Sequence, residues 1–111
     1  MNKFYGSITH TFEGKEYRLV LDFNSICHFE DETGSNFFER AEAWENKGQA
    51  PTATELRAVV HAALLENHPE ATKQLAGRML SDSMAVFGSL IQAAMKGVEP
   101  APAGKKTKAA G

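Results

Sequence analysis

The chain has 111 residues with a formal net charge of −2, of which 42% are hydrophobic and 23% charged. That is the size of one small domain, too apolar for a fully disordered protein and too evenly charged for a dedicated nucleic-acid binder. Leu, Ile, Val and Phe together supply only 23 residues and Ala another 16, so the expected core is thin and helical. A domain of this length buries roughly 60–65% of its unfolded surface and is marginal alone, which makes a partner protein or a homo-oligomer an expectation from the outset.

The single cysteine, Cys27, excludes an internal disulfide and any multi-cysteine zinc cluster. No apolar run approaches the roughly 18 residues of a membrane span, and residues 1–6 lack a signal-peptide pattern. The expected setting is soluble and cytoplasmic, with no membrane contact.

In chain order, Ile8, His10 and Phe12 alternate with Thr9 and Thr11, and Tyr17, Leu19, Leu21 and Phe23 alternate with Arg18, Val20 and Asp22. Period two on both sides of Glu13-Gly14-Lys15-Glu16 predicts a β-hairpin with a glycine turn. Asn24 or Ser25 is placed to cap a first helix carrying Ile26 and Phe29 and stopped at Gly34. Asn36 is placed to cap a second, with Phe37, Phe38, Ala41 and Trp44 at helical spacing.

After Lys47-Gly48-Gln49-Ala50-Pro51, Thr52 or Thr54 opens a third helix with Leu56, Val59, Val60, Ala63 and Leu64 in one stripe. His68-Pro69 ends it, because the residue before proline leaves the α region. A fourth helix is predicted over 70–80 with Leu75, Met79 and Leu80 inward, and a fifth capped by Ser81 or Asp82. The fifth carries a wide stripe of Met84, Phe87, Leu90, Ile91, Ala94 and Met95, closed by Lys96 and Gly97. The expected fold is α+β: an N-terminal hairpin, then about five short helices, with one domain over 1–97. Residues 98–111 have no large apolar side chain after Val98 and read as a disordered tail.

Catalytic and metal patterns are sparse. His61 and His68 lie seven apart rather than at the i, i+4 spacing of a helical metal pair, and His10 and His28 have no partner at a recognisable spacing. Adjacent Cys27 and His28 diverge on a helix and cannot form a thiolate pair. Glu30-Asp31-Glu32 reads as a solvated charged face within a segment, residues 24–50, of net charge −4. Phosphate loops, serine elbows and dinucleotide fingerprints are missing. The expectation is a protein with no enzymatic activity, cofactor or metal. For nucleic acid, Lys105, Lys106 and Lys108 form the one basic cluster, with no aromatic beside them. A helix-turn-helix regulator built from the helices between 54 and 80 is a weaker alternative, since they lack base-reaching side chains.

The order of the elements is more specific than any one of them. Thr11-Phe12-Glu13-Gly14-Lys15-Glu16-Tyr17-Arg18-Leu19 leads into Phe23-Asn24-Ser25-Ile26-Cys27-His28-Phe29-Glu30 and Thr33-Gly34. Leu56-Arg57-Ala58-Val59-Val60-His61-Ala62-Ala63-Leu64 and His68-Pro69 follow. Over residues 8–97 this resembles the tail assembly chaperones of tailed phages and gene transfer agents, some of them labelled tail tube proteins. Glu45 to Ala53 departs from the family pattern. The resemblance implies a non-enzymatic protein that binds the long helical tape-measure protein and assists assembly of the tail tube protein in the bacterial host. It also implies a longer form made by ribosomal frameshifting, with Lys105-Lys106 the pair that an adenine-rich slippery run would encode. A structural component that stays in the phage tail is the first alternative. The partner-binding candidates are Met84, Phe87, Leu90, Ile91 and Met95; at the same spacing they equally suit the core of a small bundle.

Overall fold

Two left-handed residues set the register of the whole N-terminal region. Glu13 (φ 51°) and Gly14 (φ 79°) both have positive φ, as a two-residue type I′ hairpin loop requires. The computed structural model, which describes residues 4–96, accordingly pairs β1 (Gly6–Phe12) with β2 (Lys15–Leu21), Phe12 opposite Lys15 and Ile8 opposite Leu19. The turn is shorter than the four residues expected, because Lys15 and Glu16 already belong to the ladder. Tyr17, Leu19 and Leu21 face the core as predicted, but Val20 on the opposite face is buried as well. Its cross-strand neighbour Ser7 is also buried and accepts a hydrogen bond from Arg18 Nε at 2.9 Å.

Phe23 does not continue the strand. Asp22 caps α1 (Phe23–Thr33), accepting from Ser25 N at 3.1 Å while Ser25 Oγ faces Asp22 N in a capping box. The cap therefore falls two or three residues before Asn24 and Ser25, and Phe23 becomes a first-turn residue pointing outward. Gly34 in the left-handed region closes α1. Asn36 caps α2 (Phe37–Asn46), and Thr52 caps α3 (Ala53–Leu65) with Glu55 completing a second capping box.

The third helix is the centre of the molecule. Ala58, Val59, Val60, Ala62, Ala63 and Leu64 are all buried, and α1, α4, β2 and α5 pack around it. Three buried alanines, Ala58, Ala62 and Ala63, let several neighbours approach this one helix. α4 (Lys73–Asp82) starts from Thr72 rather than Glu70. It runs through Ser81 and Asp82, the residues expected to cap the fifth helix, and ends at Ser83. α5 (Ala85–Lys96) follows after a tight turn in which Val86 N bonds Ser83 O and Phe87 N bonds Met84 O. It then lies across β1. One core unites strands and helices: Leu19, Leu21, Phe29, Phe37, Val59, Leu64, Met79 and Leu90 all belong to it. The expected tail over 98–111, with Gly97, lies outside the described residues. Among those described, no helix is long and apolar enough to cross a membrane.

Candidate functional site

Two of the exposed large apolar side chains are aromatic and adjacent, a pairing that was not legible in the sequence. Phe23, at the start of α1, is 60% exposed and Phe38, at the start of α2, is 44% exposed. Their rings lie 5.9 Å apart, and Phe4 joins both, 6.0 Å from Phe23 and 5.5 Å from Phe38. Beneath them Phe37 is buried, 5.4 Å from Phe38, and its ring meets half-buried Trp44 at 6.1 Å, which in turn meets half-buried Phe87 at 5.5 Å. Two local signals place the exposed pair. The Asp22 cap turns Phe23 out of the sheet, and Asn36 starts α2 so that Phe37 points inward and Phe38, about 100° further round, does not. α2 continues with Glu39, Glu42 and Glu45, all exposed, so the helix that carries Phe38 is acidic.

The residues expected to form a partner face on the fifth helix divide. Met84 (61% exposed) and Met95 (48%) are on the surface, Phe87 and Ile91 are half-buried against the core, and Leu90 is fully buried. Leu90 is placed as a core residue because α5 turns that side of its stripe towards the sheet. Met84 stands at the edge of a groove of about 440 Å³ between α3 and α4, with Leu56, Arg57, Gly77 and Leu80 on its walls.

The acidic run of α1 is not a uniform solvated face. Glu30 Oε2 accepts the backbone N–H of Phe37 at 2.9 Å, placing a carboxylate at the start of α2. Asp31 is exposed. Glu32 turns towards α3, where its Oε1 is 3.6 Å from His61 Nδ1 and 4.0 Å from His28 Nδ1, while its Oε2 is 3.2 Å from Lys73 Nζ. His28 and Glu32 share a face of α1 by their i, i+4 spacing. His61 reaches them from the middle of α3, its ring 5.5 Å from that of His28. The sequence assigned His28 no partner because the second histidine lies on another helix, 33 positions away.

His61 and His68, whose seven-residue spacing argued against a metal pair, have separate partners. His68 packs edge-on against Tyr17 at 5.0 Å and its Nε2 accepts from Arg18 N at 3.0 Å, tying the α3–α4 connection to the hairpin. A separate ion pair joins α2 to α3: Arg40 Nε donates to Glu55 Oε2 at 2.6 Å, and Thr52 N donates to Glu55 Oε1 at 2.9 Å. Burial alone would raise the Glu55 carboxyl, but the hydrogen bonds from Arg40 and Thr52 and the guanidinium charge outweigh it and hold it below its ordinary value.

A scan against protein-family models returns no match, and neither do searches of the curated proteins and of the solved structures. What the surface and the clustered side chains can do chemically is therefore the basis for assigning a role.

Proposed function

We propose that this protein is a non-enzymatic tail assembly chaperone of a tailed phage, prophage or gene transfer agent. It holds the tape-measure protein soluble in the host cytoplasm while tail tube subunits assemble. The observation that carries the reading is the exposed Phe23–Phe38 pair, with half-buried Phe4 against both rings. A monomer gains nothing from leaving two phenylalanines in water, whereas an aromatic patch suits burial against the apolar face of a helical partner. The acidic α2 beside it favours a partner segment bearing Lys or Arg next to its apolar stripe. The groove beside Met84 is a second surface on which an amphipathic helix could lie. The order of the hairpin, the Ile26–Phe29 helix and the alanine-leucine helix before His68-Pro69, which resembles that of the tail assembly chaperones, supports the reading.

Co-expression with a tape-measure protein tests this. The chaperone should raise that protein's soluble fraction and elute with it. A Phe23→Ser, Phe38→Ser double variant should lose the effect while keeping its own melting temperature to within a few degrees, since both rings are exposed. If the double variant retains full activity, the aromatic patch is not the binding surface. Mass spectrometry of purified tails separates the alternatives, because a chaperone is absent from finished particles and a structural tail component is present. Retention of DNA in a low-salt gel shift would instead favour the regulator.

A further inference from the structure

The cluster of His28, Glu32 and His61 has no part in the chaperone reading, and its geometry points to a different chemistry. We propose that these three side chains form a divalent transition-metal site, of the zinc class, that clips α1 to α3. One ligand atom from each, an imidazole nitrogen from His28 and His61 and a carboxylate oxygen from Glu32, lie within 4.8 Å of one another. Nδ1 of His28 and Nδ1 of His61 are both buried without a hydrogen-bond partner, a costly arrangement for two imidazoles unless something fills the space between them. A tetrahedral ion with bonds of roughly 2.0–2.1 Å needs its ligands about 3.4 Å apart, so the side chains must close by up to about 1.4 Å, within rotamer adjustment.

The surroundings already have the outer sphere of such a site. His61 Nε2 lies 3.1 Å from the carbonyl oxygen of Ala71. A carbonyl can only accept, so Nε2 is the donor, and the neutral form of that ring has its lone pair at Nδ1, towards Glu32. Lys73 holds the other carboxylate oxygen, Oε2, and leaves Oε1 directed at the two histidines. Two imidazoles and one carboxylate suit zinc, and also cobalt or nickel. Magnesium and calcium demand more oxygen donors than one glutamate supplies. Three protein ligands leave a fourth position for water on the side of half-exposed His28. Joining α1 to the central helix would stabilise a domain whose core is small for its length.

The test is calorimetric titration of the purified, metal-stripped protein with Zn²⁺, alongside Mg²⁺ and Ca²⁺. One Zn²⁺ per chain is expected, with a higher melting temperature and no response to the other two cations. His28→Ala and Glu32→Gln should each weaken Zn²⁺ binding by more than the roughly 10–100-fold typical of losing an outer-sphere partner. Cys27→Ser, removing the exposed thiol one residue away, should leave it unchanged. If a variant fails to fold, proton–nitrogen correlation of the histidine rings in the wild-type chain decides the matter. Zn²⁺ should then move the His28 and His61 Nδ1 resonances and leave His10 and His68 in place. An isotherm with no saturable site, variants that titrate like the wild type, or ring shifts confined to other histidines would each overturn the proposal.

Discussion

Glu55 shows how one residue can serve local and tertiary structure together. Its backbone and carboxylate close the capping box of α3, and the same carboxylate takes the Arg40 guanidinium from α2. Because the folded-state pKa is depressed from the ordinary 4.5, the stability it contributes is complete above that value and is lost as the pH falls through the lower, folded value. Glu55→Gln should destabilise the domain by about 1–2 kcal/mol near neutrality. The difference from wild type should shrink in urea unfolding series carried below pH 4.5; a constant gap down to pH 3 would show that ionisation is not its source. The Thr52-x-x-Glu55 pattern is visible in the sequence as a start signal, yet the Arg40 partner is not, since nothing local relates residues 15 apart. For the same reason Glu30, Asp31 and Glu32 read as one charged run although only Asp31 is left to solvent.

Among the elements, α5 was legible as an amphipathic helix but not as a helix with two apolar faces of different fate. Its stripe from Met84 to Met95 is wider than its contact with the rest of the fold, so Leu90 is sealed in while Met95 remains outside. Leu90→Ala should cost about 2–5 kcal/mol by leaving a cavity. Met95→Ala should change stability by no more than about 0.5 kcal/mol, and chemical denaturation of the two variants provides the comparison. Periodicity reports which residues lie on one side of a helix. How much of that side is covered depends on the width of the neighbour, which is here a two-stranded ribbon. The start of α1 differs from expectation for a related reason: Asp22, Asn24 and Ser25 are all competent caps. The choice among them is made by where the preceding strand is held in place.

At the scale of the molecule, a two-stranded hairpin is marginal in water and persists here because α3 lies against β2 and α5 against β1. The closest approach is at Gly6, where an added Cβ would sit 2.2 Å from Ala94 N and 2.4 Å from Ala93 C. Because the obstacle is helix backbone, Gly6→Ala should lower stability by about 3 kcal/mol, at the upper end of overpacking. Gly88→Ala, on the same helix with nothing within 4 Å of the added carbon, should raise it by about 0.5–1 kcal/mol. Thermal unfolding of the pair reads both signs, and a Gly6→Ala domain as stable as wild type would mean that α5 does not seat against the strand in this way.

By itself the sequence determined the α+β class, the hairpin with its glycine turn, the five helices, the caps at Asn36 and Thr52, the stop at Gly34 and the burial of Ile26, Phe29, Val59 and Leu64. These follow from turn chemistry and hydrophobic period, which act over a few neighbouring residues. Only the tertiary structure decided that Phe23 and Phe38 share an exposed aromatic surface and that Leu90 belongs to the core. It also brought His28, Glu32 and His61 to one point between two helices. Each of those outcomes depends on the packing of elements distant in the chain. The side chains that meet there are chosen by the shape of the neighbour, which no local pattern encodes.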